Sequence, residues 1–267
     1  MENILFAFLL TLLAGLSTAI GGLISALSKE GNKKFLAVSL GFSAGVMIYV
    51  SMVEIFFKAK VALTEDLGEK VGYWVTAAAF FGGILLVALI DKLIPKEANP
   101  HEVTKPEEIA KEGVANKRKL MRTGLLTALA VGIHNFPEGL ATFISTLHDP
   151  KMGVPIAIAI AIHNIPEGIA VSVPVFYATG SRKKAFWYSF LSGLAEPVGA
   201  LIGFLVLMPY LSNTLFGIVF ASVAGIMVFI SLDELLPAAE KYAEHHYAIY
   251  GLLAGMAVMA LSLILLT

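Results

Sequence analysis

One six-residue motif, His-Asn-x-Pro-Glu-Gly, occurs twice in this chain, at 134–139 and again at 163–168. Residues three and four apart share one face of a helix, so the imidazole, amide and carboxylate of each copy can converge on one ion. Nitrogen and oxygen ligands of these types bind divalent transition metals. The motif therefore predicts a metal site with the ligands His134, Asn135, Glu138, His163, Asn164 and Glu167.

A third carboxylate, Glu196, lies in the next apolar stretch and is followed by Pro197. An ionisable side chain at the centre of a membrane costs about 2.5–3.5 kcal/mol on insertion scales and is usually kept for function. No Lys or Arg lies at a comparable depth, so protons or bound cations must compensate the three carboxylates. Two imidazoles and three carboxylates suit one or two Zn²⁺, Fe²⁺, Mn²⁺ or Co²⁺ ions better than Ca²⁺ or Mg²⁺. A hydrogen-bonded polar network that holds helices together is the alternative.

The elements that must position these residues are long apolar stretches. Hydrophobic residues make up 57% of the 267-residue chain and charged residues 15%, against about 25% charged in soluble proteins. About 20 apolar residues cross a bilayer as a helix, whereas lipid-exposed strands would leave backbone groups unsatisfied. We therefore predict an all-α, polytopic membrane protein with eight transmembrane helices. These spans 1 to 8 cover about 4–27, 34–57, 72–94, 122–147, 153–178, 184–208, 213–236 and 248–267.

The arrangement of the spans follows from the charged residues. We expect a single transmembrane domain over 1–267 with a polar cytoplasmic loop at about 95–120. Span 1 lacks a basic leader and is longer than a signal-peptide core, so we expect it to be a retained helix. With the N-terminus outside, 15 of the 19 Lys and Arg residues fall on the inner side, which predicts both termini outside the cytoplasm. The absence of Cys excludes disulfides and thiolate metal sites.

Spans 2 and 7 share an internal repeat at a constant offset. Residues 44–54 read AGVMIYVSMVE and residues 224–234 read AGIMVFISLDE. A weaker match pairs 14–18 in span 1 with 192–196 in span 6. Spans five apart cross a membrane in opposite directions, so we predict that spans 1–3 and 6–8 form an inverted repeat around spans 4 and 5. Inverted repeats with Pro-interrupted helices are typical of transporters.

Each copy of the motif also carries a proline and a glycine that affect its helix. Pro137 and Pro166 each remove one intrahelical hydrogen bond and bend the helix. Gly139 and Gly168 leave room for a neighbouring helix. We therefore expect a close helix contact directly after each motif glutamate.

The doubled motif, with Glu196-Pro197 in the following span, resembles the ZIP (Zrt/Irt-like) family of divalent-metal transporters, and within it a bacterial branch. The resemblance extends over essentially the whole chain. It implies uptake of zinc and related ions into the cytosol, across a bacterial inner membrane, through a paired metal centre made by spans 4, 5 and 6. Carried over to this sequence, the implied ligands are His134, Asn135, Glu138, His163, Asn164, Glu167 and Glu196.

The function that we predict is uptake of divalent transition metals by alternating access. Zinc is the main expected substrate, and Fe²⁺, Mn²⁺, Co²⁺ and Cd²⁺ are further candidates. We expect metal ions and the lipid bilayer as partners, with a homodimer as one assembly that the small-residue helix faces allow. No catalytic cofactor, enzymatic activity or nucleic-acid partner is expected.

Three other functions compete with this prediction. A selective metal channel would use the same ligands without alternating access. An intramembrane zinc hydrolase is disfavoured, because such enzymes place Glu beside His in a His-Glu-x-x-His motif on one helix. A purely structural membrane scaffold would bind no metal at all.

Carboxylates near the helix ends are weaker candidates for metal handling. Asp233 and Glu234 end span 7 on the inner side, and Glu54 ends span 2 on the outer side. Their relation by the repeat favours paired exit and entrance sites. The competing interpretation is that carboxylates at helix ends simply reach water.

Histidines outside the motif have the same ambiguity. We interpret three of them as solvated loop residues: His148 at the outer mouth, and the pair His245 and His246 on the inner side. Capture or release of metal is the alternative interpretation for each. The long loop contains only His101. A strong metal-sensing histidine cluster is therefore not expected in that loop.

Overall fold

The computed structural model of the chain describes residues 2–27, 33–93, 114–210, 212–242 and 245–266. Within these ranges the chain is helical apart from short links, and no strand occurs among them. Eight helical segments follow one another in the predicted order. They are Glu2–Leu27 (span 1); Lys33–Val50, Ser51–Ile55 and Phe56–Leu67 (span 2); Glu69–Leu93 (span 3); Val114–His148 (span 4); Pro150–Thr179 (span 5); Arg182–Gly193 and Ala195–Leu207 (span 6); Asn213–Ile230, Ser231–Leu235 and Leu236–Tyr242 (span 7); and His245–Leu266 (span 8).

Most of these segments have the length and composition of membrane-crossing helices. Among the described residues, seven are long and apolar enough to span a bilayer. The remaining segment is span 4, which is 35 residues long and contains a basic first part and the polar motif. The prediction of an all-α, polytopic membrane fold is confirmed.

Part of the segment predicted as a cytoplasmic loop at about 95–120 is helical. Residues 94–113 lie outside the described residues. The helix of span 4 begins at Val114, so it includes residues 114–120, and the cytoplasmic loop itself stays a prediction. This stretch contains Ala, Lys, Arg and Leu, which are strong helix formers, and neither Gly nor Pro interrupts it.

The turns between neighbouring spans in the central part of the chain are short and capped. The Asp149 side chain accepts a hydrogen bond of 2.9 Å from a backbone N–H in the first turn of span 5, and Pro150 is the first helical residue. Span 5 ends at Gly180, whose φ of 64° is left-handed and favours glycine. Ser181 then caps span 6. These tight turns make spans 4, 5 and 6 antiparallel neighbours in sequence.

The packing divides the eight spans into two groups. Spans 1, 4, 5 and 6 pack mainly on one another and are called here the site group, because they include both motif copies. Spans 2, 3, 7 and 8 also pack mainly on one another and are called the frame group. The two groups meet chiefly where span 2 contacts span 5.

Glycines allow the helices of the frame group to approach closely. A Cβ atom on Gly45 of span 2 would lie 2.0 Å from the carbonyl oxygen of Leu252 in span 8. A Cβ atom on Gly83 of span 3 would lie 2.1 Å from the carbonyl oxygen of Ser222 in span 7. Neither distance is compatible with a side chain, so backbone contact between helices requires glycine at both positions.

Spans 2 and 7 each contain one π-helical turn. These turns cover Ser51–Ile55 and Ser231–Leu235, and the helices that precede them begin at Lys33 and Asn213. Both pairs of positions are separated by the same offset as the two copies of the sequence repeat. Single π-turns are uncommon and occur often near functional sites. The inverted repeat itself stays a prediction.

Candidate metal centre

Both copies of the motif lie inside continuous helices. Pro137 is inside span 4 and Pro166 is inside span 5, and neither ends its helix. A proline cannot donate to the carbonyl four residues earlier, so the carbonyls of Ile133 and Ile162 lose their intrahelical partners. The motif residues are therefore carried on helices that have locally weakened backbone hydrogen bonding.

The predicted ligands whose side chains are described are all buried. Asn135, Glu138, His163, Asn164, Glu167 and Glu196 are each between 0 and 1% exposed. The helix of span 4 includes residue 134, but the side chain of His134 lies outside the described residues. Burial of carboxyl, imidazole and amide groups at the same place is costly unless they bind one another or a ligand.

Direct contacts join the three spans that carry these residues. The Nε2 atom of His163 in span 5 lies 3.3 Å from Oε2 of Glu138 in span 4. The amide nitrogen of Asn164 in span 5 donates to Oε1 of Glu196 in span 6. The amide nitrogen of Asn135 in span 4 lies 3.4 Å from the carbonyl oxygen of Ser192 in span 6. The structure thus brings together predicted ligands from three separate helices.

Four side-chain oxygens in this cluster are buried and have no hydrogen-bond partner among the described residues. Leaving a buried polar atom without a partner costs about 1–3 kcal/mol. A bound cation can satisfy oxygens of this kind through their lone pairs. The four atoms are Asn135 Oδ1, Glu138 Oε1, Asn164 Oδ1 and Glu196 Oε2.

The cluster is not a complete metal site by itself. Within the part of the chain that the structure describes, no three His, Asp or Glu side chains are placed to hold one ion. The two asparagine oxygens and the His134 imidazole would have to add to the carboxylates and His163. The ligand assignment therefore stays a prediction.

The glycine that ends each motif makes the predicted close contact. A Cβ atom on Gly139 would lie 2.0 Å from the carbonyl oxygen of Glu196 in span 6. A Cβ atom on Gly168 would lie 1.9 Å from the carbonyl oxygen of Thr18 in span 1. The expectation of close approach after each glutamate is confirmed, and the two glycines contact different helices.

Span 6 is locally distorted beside the cluster. Its first part ends at Gly193 and its second begins at Ala195, with Leu194 as the link. Leu194 keeps right-handed helical dihedral angles and donates to the Phe190 carbonyl at 3.1 Å, so the helix continues through the link. Glu196 follows directly and precedes Pro197, which cannot donate to the carbonyl four residues earlier.

Span 1 also contacts the cluster, although it carries none of the predicted ligands. The amide nitrogen of Asn164 donates to the carbonyl oxygen of Ala14 at 3.0 Å. A Cβ atom on Gly15 would lie 2.5 Å from the carbonyl oxygen of Gly193, and one on Gly193 would lie 2.3 Å from that of Gly15. The weak sequence match between 14–18 and 192–196 was the only signal that pointed to these residues.

The weaker carboxylate candidates lie away from this cluster. Glu54 is partly buried within the π-turn of span 2 and forms an ion pair of 3.8 Å with Lys58. Asp233 is exposed and Glu234 is partly exposed in the π-turn of span 7. Their roles as entrance and exit sites stay predictions.

The weaker histidine candidates lie at the helix ends. His148 stacks on Phe216 of span 7, with ring centroids 4.6 Å apart. His245 pairs with Glu240 at 2.7 Å, and the rings of His245 and His246 are 6.0 Å apart. His101 lies outside the described residues.

Known proteins match the whole chain. A family model described as ZIP Zinc transporter matches residues 90–263, which is well over half of the sequence. A protein of Oceanobacillus iheyensis named Zinc transporter ZupT is 66% identical over 267 residues, with 100% of each chain covered. Proteins of the same name from Lysinibacillus sphaericus and Chlorobium chlorochromatii are each 65% identical, over 99% and 100% of this chain and 98% and 99% of their own.

Proposed function

This chain belongs to the ZIP zinc transporter family, and on that premise we propose that it carries divalent transition metals, zinc foremost, across the bacterial inner membrane into the cytosol. The family consists of transporters, so the intramembrane hydrolase is set aside and the protein is not an enzyme. The relatives at 65–66% identity are named for zinc transport. No cofactor is required for this function, because the metal is the substrate.

The observation that carries the proposal is a buried set of ligand atoms without compensating basic residues. Glu138 and Glu196 each have one carboxylate oxygen with no hydrogen-bond partner among the described residues. The sequence contains no Lys or Arg between Arg122 and Lys151, or between Lys184 and Lys241. A divalent cation supplies the missing positive charge in a place where it is otherwise expensive to leave carboxylates ionised.

The types of ligand support transition metals as substrates. The proposed ligands are His134, Asn135, Glu138, His163, Asn164, Glu167 and Glu196. Zinc takes nitrogen and oxygen ligands readily, and Fe²⁺, Mn²⁺, Co²⁺ and Cd²⁺ are proposed as further substrates of the same set. Ca²⁺ and Mg²⁺ prefer all-oxygen sites and are not proposed.

The division into two helix groups supports alternating access. The proposed ligands all lie on the site group, which contacts the frame group mainly through spans 5 and 2. A site group that moves as one body past the frame group would carry the ion from one side of the membrane to the other. We infer that spans 1–3 and 6–8 form the inverted repeat from which two equivalent end states arise. The paired π-turns, which share the offset of the sequence repeat, support that inference.

The charge distribution supports a defined orientation. With both termini outside, 15 of the 19 Lys and Arg residues lie on the cytoplasmic side. We propose one transmembrane domain over 1–267 with this orientation. We propose a homodimer as its assembly. Measuring the molecular mass of the protein in detergent or in native membranes tests this assembly.

Zinc uptake into proteoliposomes tests the proposed function. We expect Glu138→Ala and Glu167→Ala to abolish uptake of radiolabelled zinc, because each removes a carboxylate from the ion. Glu65→Ala is the matched control, since Glu65 is exposed near the C-terminal end of span 2. Uptake at the wild-type rate in both site variants would refute the site assignment.

Counterflow separates a carrier from a selective metal channel. Vesicles loaded with unlabelled zinc should accumulate labelled zinc transiently if the site faces one side at a time. Flux that increases linearly with external zinc and shows no counterflow would favour the channel.

A further inference from the structure

Asn164 has a fixed amide orientation in this fold. An amide nitrogen carries two protons and can donate two hydrogen bonds. The Asn164 nitrogen donates to the Ala14 carbonyl at 3.0 Å and also to Oε1 of Glu196. Because a backbone carbonyl can only accept, the nitrogen and not the oxygen of Asn164 must face Ala14.

This orientation decides which atoms are left for an ion. The remaining amide atom, Asn164 Oδ1, is buried and has no hydrogen-bond partner among the described residues. Glu196 is held through Oε1, and its other oxygen, Oε2, is likewise buried without a partner in that part of the chain. Among the described residues, Oε2 is therefore the Glu196 oxygen without a competing hydrogen bond, and an ion would bind preferentially at that atom.

Span 1 can do this only because it lies in backbone contact with span 6. A Cβ atom on Gly15 would lie 2.5 Å from the Gly193 carbonyl oxygen and 3.2 Å from Cβ of Glu196. The Ala14 carbonyl also accepts a hydrogen bond of 2.6 Å from the Ser17 hydroxyl. Any side chain at position 15 would move span 1 away from Glu196 and weaken its contact with Asn164.

We propose that span 1 is the fourth wall of the metal site, and that Ala14 and Gly15 are positioning residues that orient Asn164 and Glu196 toward the ion. In this proposal span 1 acts through the Ala14 carbonyl and the close backbone contact at Gly15. It fixes the direction in which the one oxygen of Asn164 points and, through Asn164, engages one of the two Glu196 oxygens. A carboxylate that binds mainly through one oxygen favours an ion with few, well-separated bonds, as zinc has. This inference rests on the proposed function, since it assigns how the same site holds its substrate.

Asn164→Asp separates orientation from ligation. If Asn164 acts only as an oxygen ligand, a carboxylate at this position should bind zinc at least as tightly as the amide. If its two donated hydrogen bonds orient it, the carboxylate can donate neither to Ala14 nor to Glu196, and we expect the dissociation constant for zinc to rise at least about tenfold. The Gly15→Ala measurement then separates the contact with span 1 from the contact with Glu196. Asn135→Asp is the matched comparison and should have a smaller effect, because Asn135 donates to the Ser192 carbonyl at 3.4 Å.

Gly15→Ala tests the position of span 1 without touching a ligand. We expect zinc to bind about tenfold more weakly and the KM for uptake to rise in proportion, with the maximal rate retained, because the ligands are displaced and the helix groups are not. Gly82→Ala is the matched control, since a Cβ atom there meets nothing within 4 Å. If Gly15→Ala does not fold, the Asn164→Asp measurement decides alone.

Isothermal titration of zinc into purified protein, beside uptake in proteoliposomes, distinguishes the outcomes. Wild-type affinity in Asn164→Asp, or in folded Gly15→Ala, would overturn the role of span 1. If the wild-type protein binds zinc but does not transport it, the proposed function is refuted. The role of span 1 in zinc binding would still hold in that case. A wild-type protein that binds no zinc would overturn both.

Discussion

The two copies of the His-Asn-x-Pro-Glu-Gly motif are nearly identical in sequence but have different surroundings. The first copy, on span 4, packs its glycine on the backbone of Glu196 in span 6. The second copy, on span 5, packs its glycine on the backbone of Thr18 in span 1. The asparagines differ in the same sense, because Asn135 donates to span 6 and Asn164 donates to both spans 1 and 6.

The doubled motif is therefore not a pair of equivalent half-sites. The second copy lies at the centre, where it contacts span 4 through His163, span 6 through Asn164 and span 1 through Gly168. The first copy contacts the second copy and span 6 only, through Glu138, Asn135 and Gly139 among the contacts described above. Two nearly identical motifs thus have a central and a peripheral position, and their neighbouring helices determine which is which.

Among the variants that test this difference between the copies, the largest effect is expected from adding a methyl group to either motif glycine. Gly139→Ala would push on the backbone of Glu196, whereas Gly168→Ala would push on span 1. Overpacking of this kind costs about 1–3 kcal/mol of stability, and we expect both variants to melt at a lower temperature. We expect zinc uptake to fall more than about tenfold in Gly139→Ala, because the proposed ligand Glu196 is itself displaced.

Scanning fluorimetry and zinc uptake measure these two consequences separately. Gly82→Ala should match the wild type in both, since its added methyl group meets nothing within 4 Å. Wild-type uptake by Gly139→Ala would show that the backbone contact with Glu196 does not position the site.

A smaller effect is expected from the contact that joins the two copies. Because His163 lies 3.3 Å from Glu138, replacing both should cost less than the sum of the single replacements. We expect a coupling of about 1 kcal/mol, or about fivefold in zinc affinity, in a cycle of Glu138→Gln and His163→Gln. Calorimetric titration of the four proteins measures it.

The control cycle pairs His163→Gln with Glu65→Gln, which is exposed and should be additive. Additive losses for Glu138 and His163 would mean that the copies act as independent sites, contrary to the contact between them.

The smallest effect is expected at the boundary between the helix groups. The hydroxyl of Ser43 in span 2 donates to the His163 carbonyl at 3.2 Å, so it links the frame group to the second copy. A single hydrogen bond contributes about 0.5–1.5 kcal/mol. If the groups move past each other, Ser43→Ala should raise the maximal uptake rate by about two- to fivefold, which corresponds to about 0.5–1 kcal/mol, and leave KM nearly unchanged.

Initial-rate kinetics in proteoliposomes measure this change. Ser145→Ala is the comparison, because the Ser145 hydroxyl bonds only within span 4, to the carbonyl of Thr142 among the described residues. A change in KM at constant maximal rate would instead place Ser43 in metal binding.

Much of the fold was predictable because the membrane imposes simple rules. Each span had to be a helix of about 20 apolar residues, and the eight segments appear in the predicted order. Span 4 began earlier than predicted, at Val114, since a charged helix can extend beyond the bilayer into water. The π-turns at Ser51–Ile55 and Ser231–Leu235 were not predicted, because side-chain periodicity does not report one extra residue in a helical turn.

The residues of the buried cluster were predictable to a different extent. Glu138, His163, Asn164 and Glu196, which the structure brings into contact, were identified by type, since polar groups are conspicuous in apolar spans. Ala14 and Gly15 could not be identified in this way, because a backbone carbonyl and a missing side chain carry no distinctive residue chemistry.

The amino-acid order alone establishes an α-helical membrane protein with a doubled motif of metal-binding residue types, because hydropathy and ligand chemistry are properties of individual residues. The folded packing alone settles which copy is central, which oxygen atoms stay without partners among the described residues, and which helix orients Asn164. Those properties depend on how closely the helices approach, and that distance is set by glycine contacts between segments as far apart as Gly15 and Gly193.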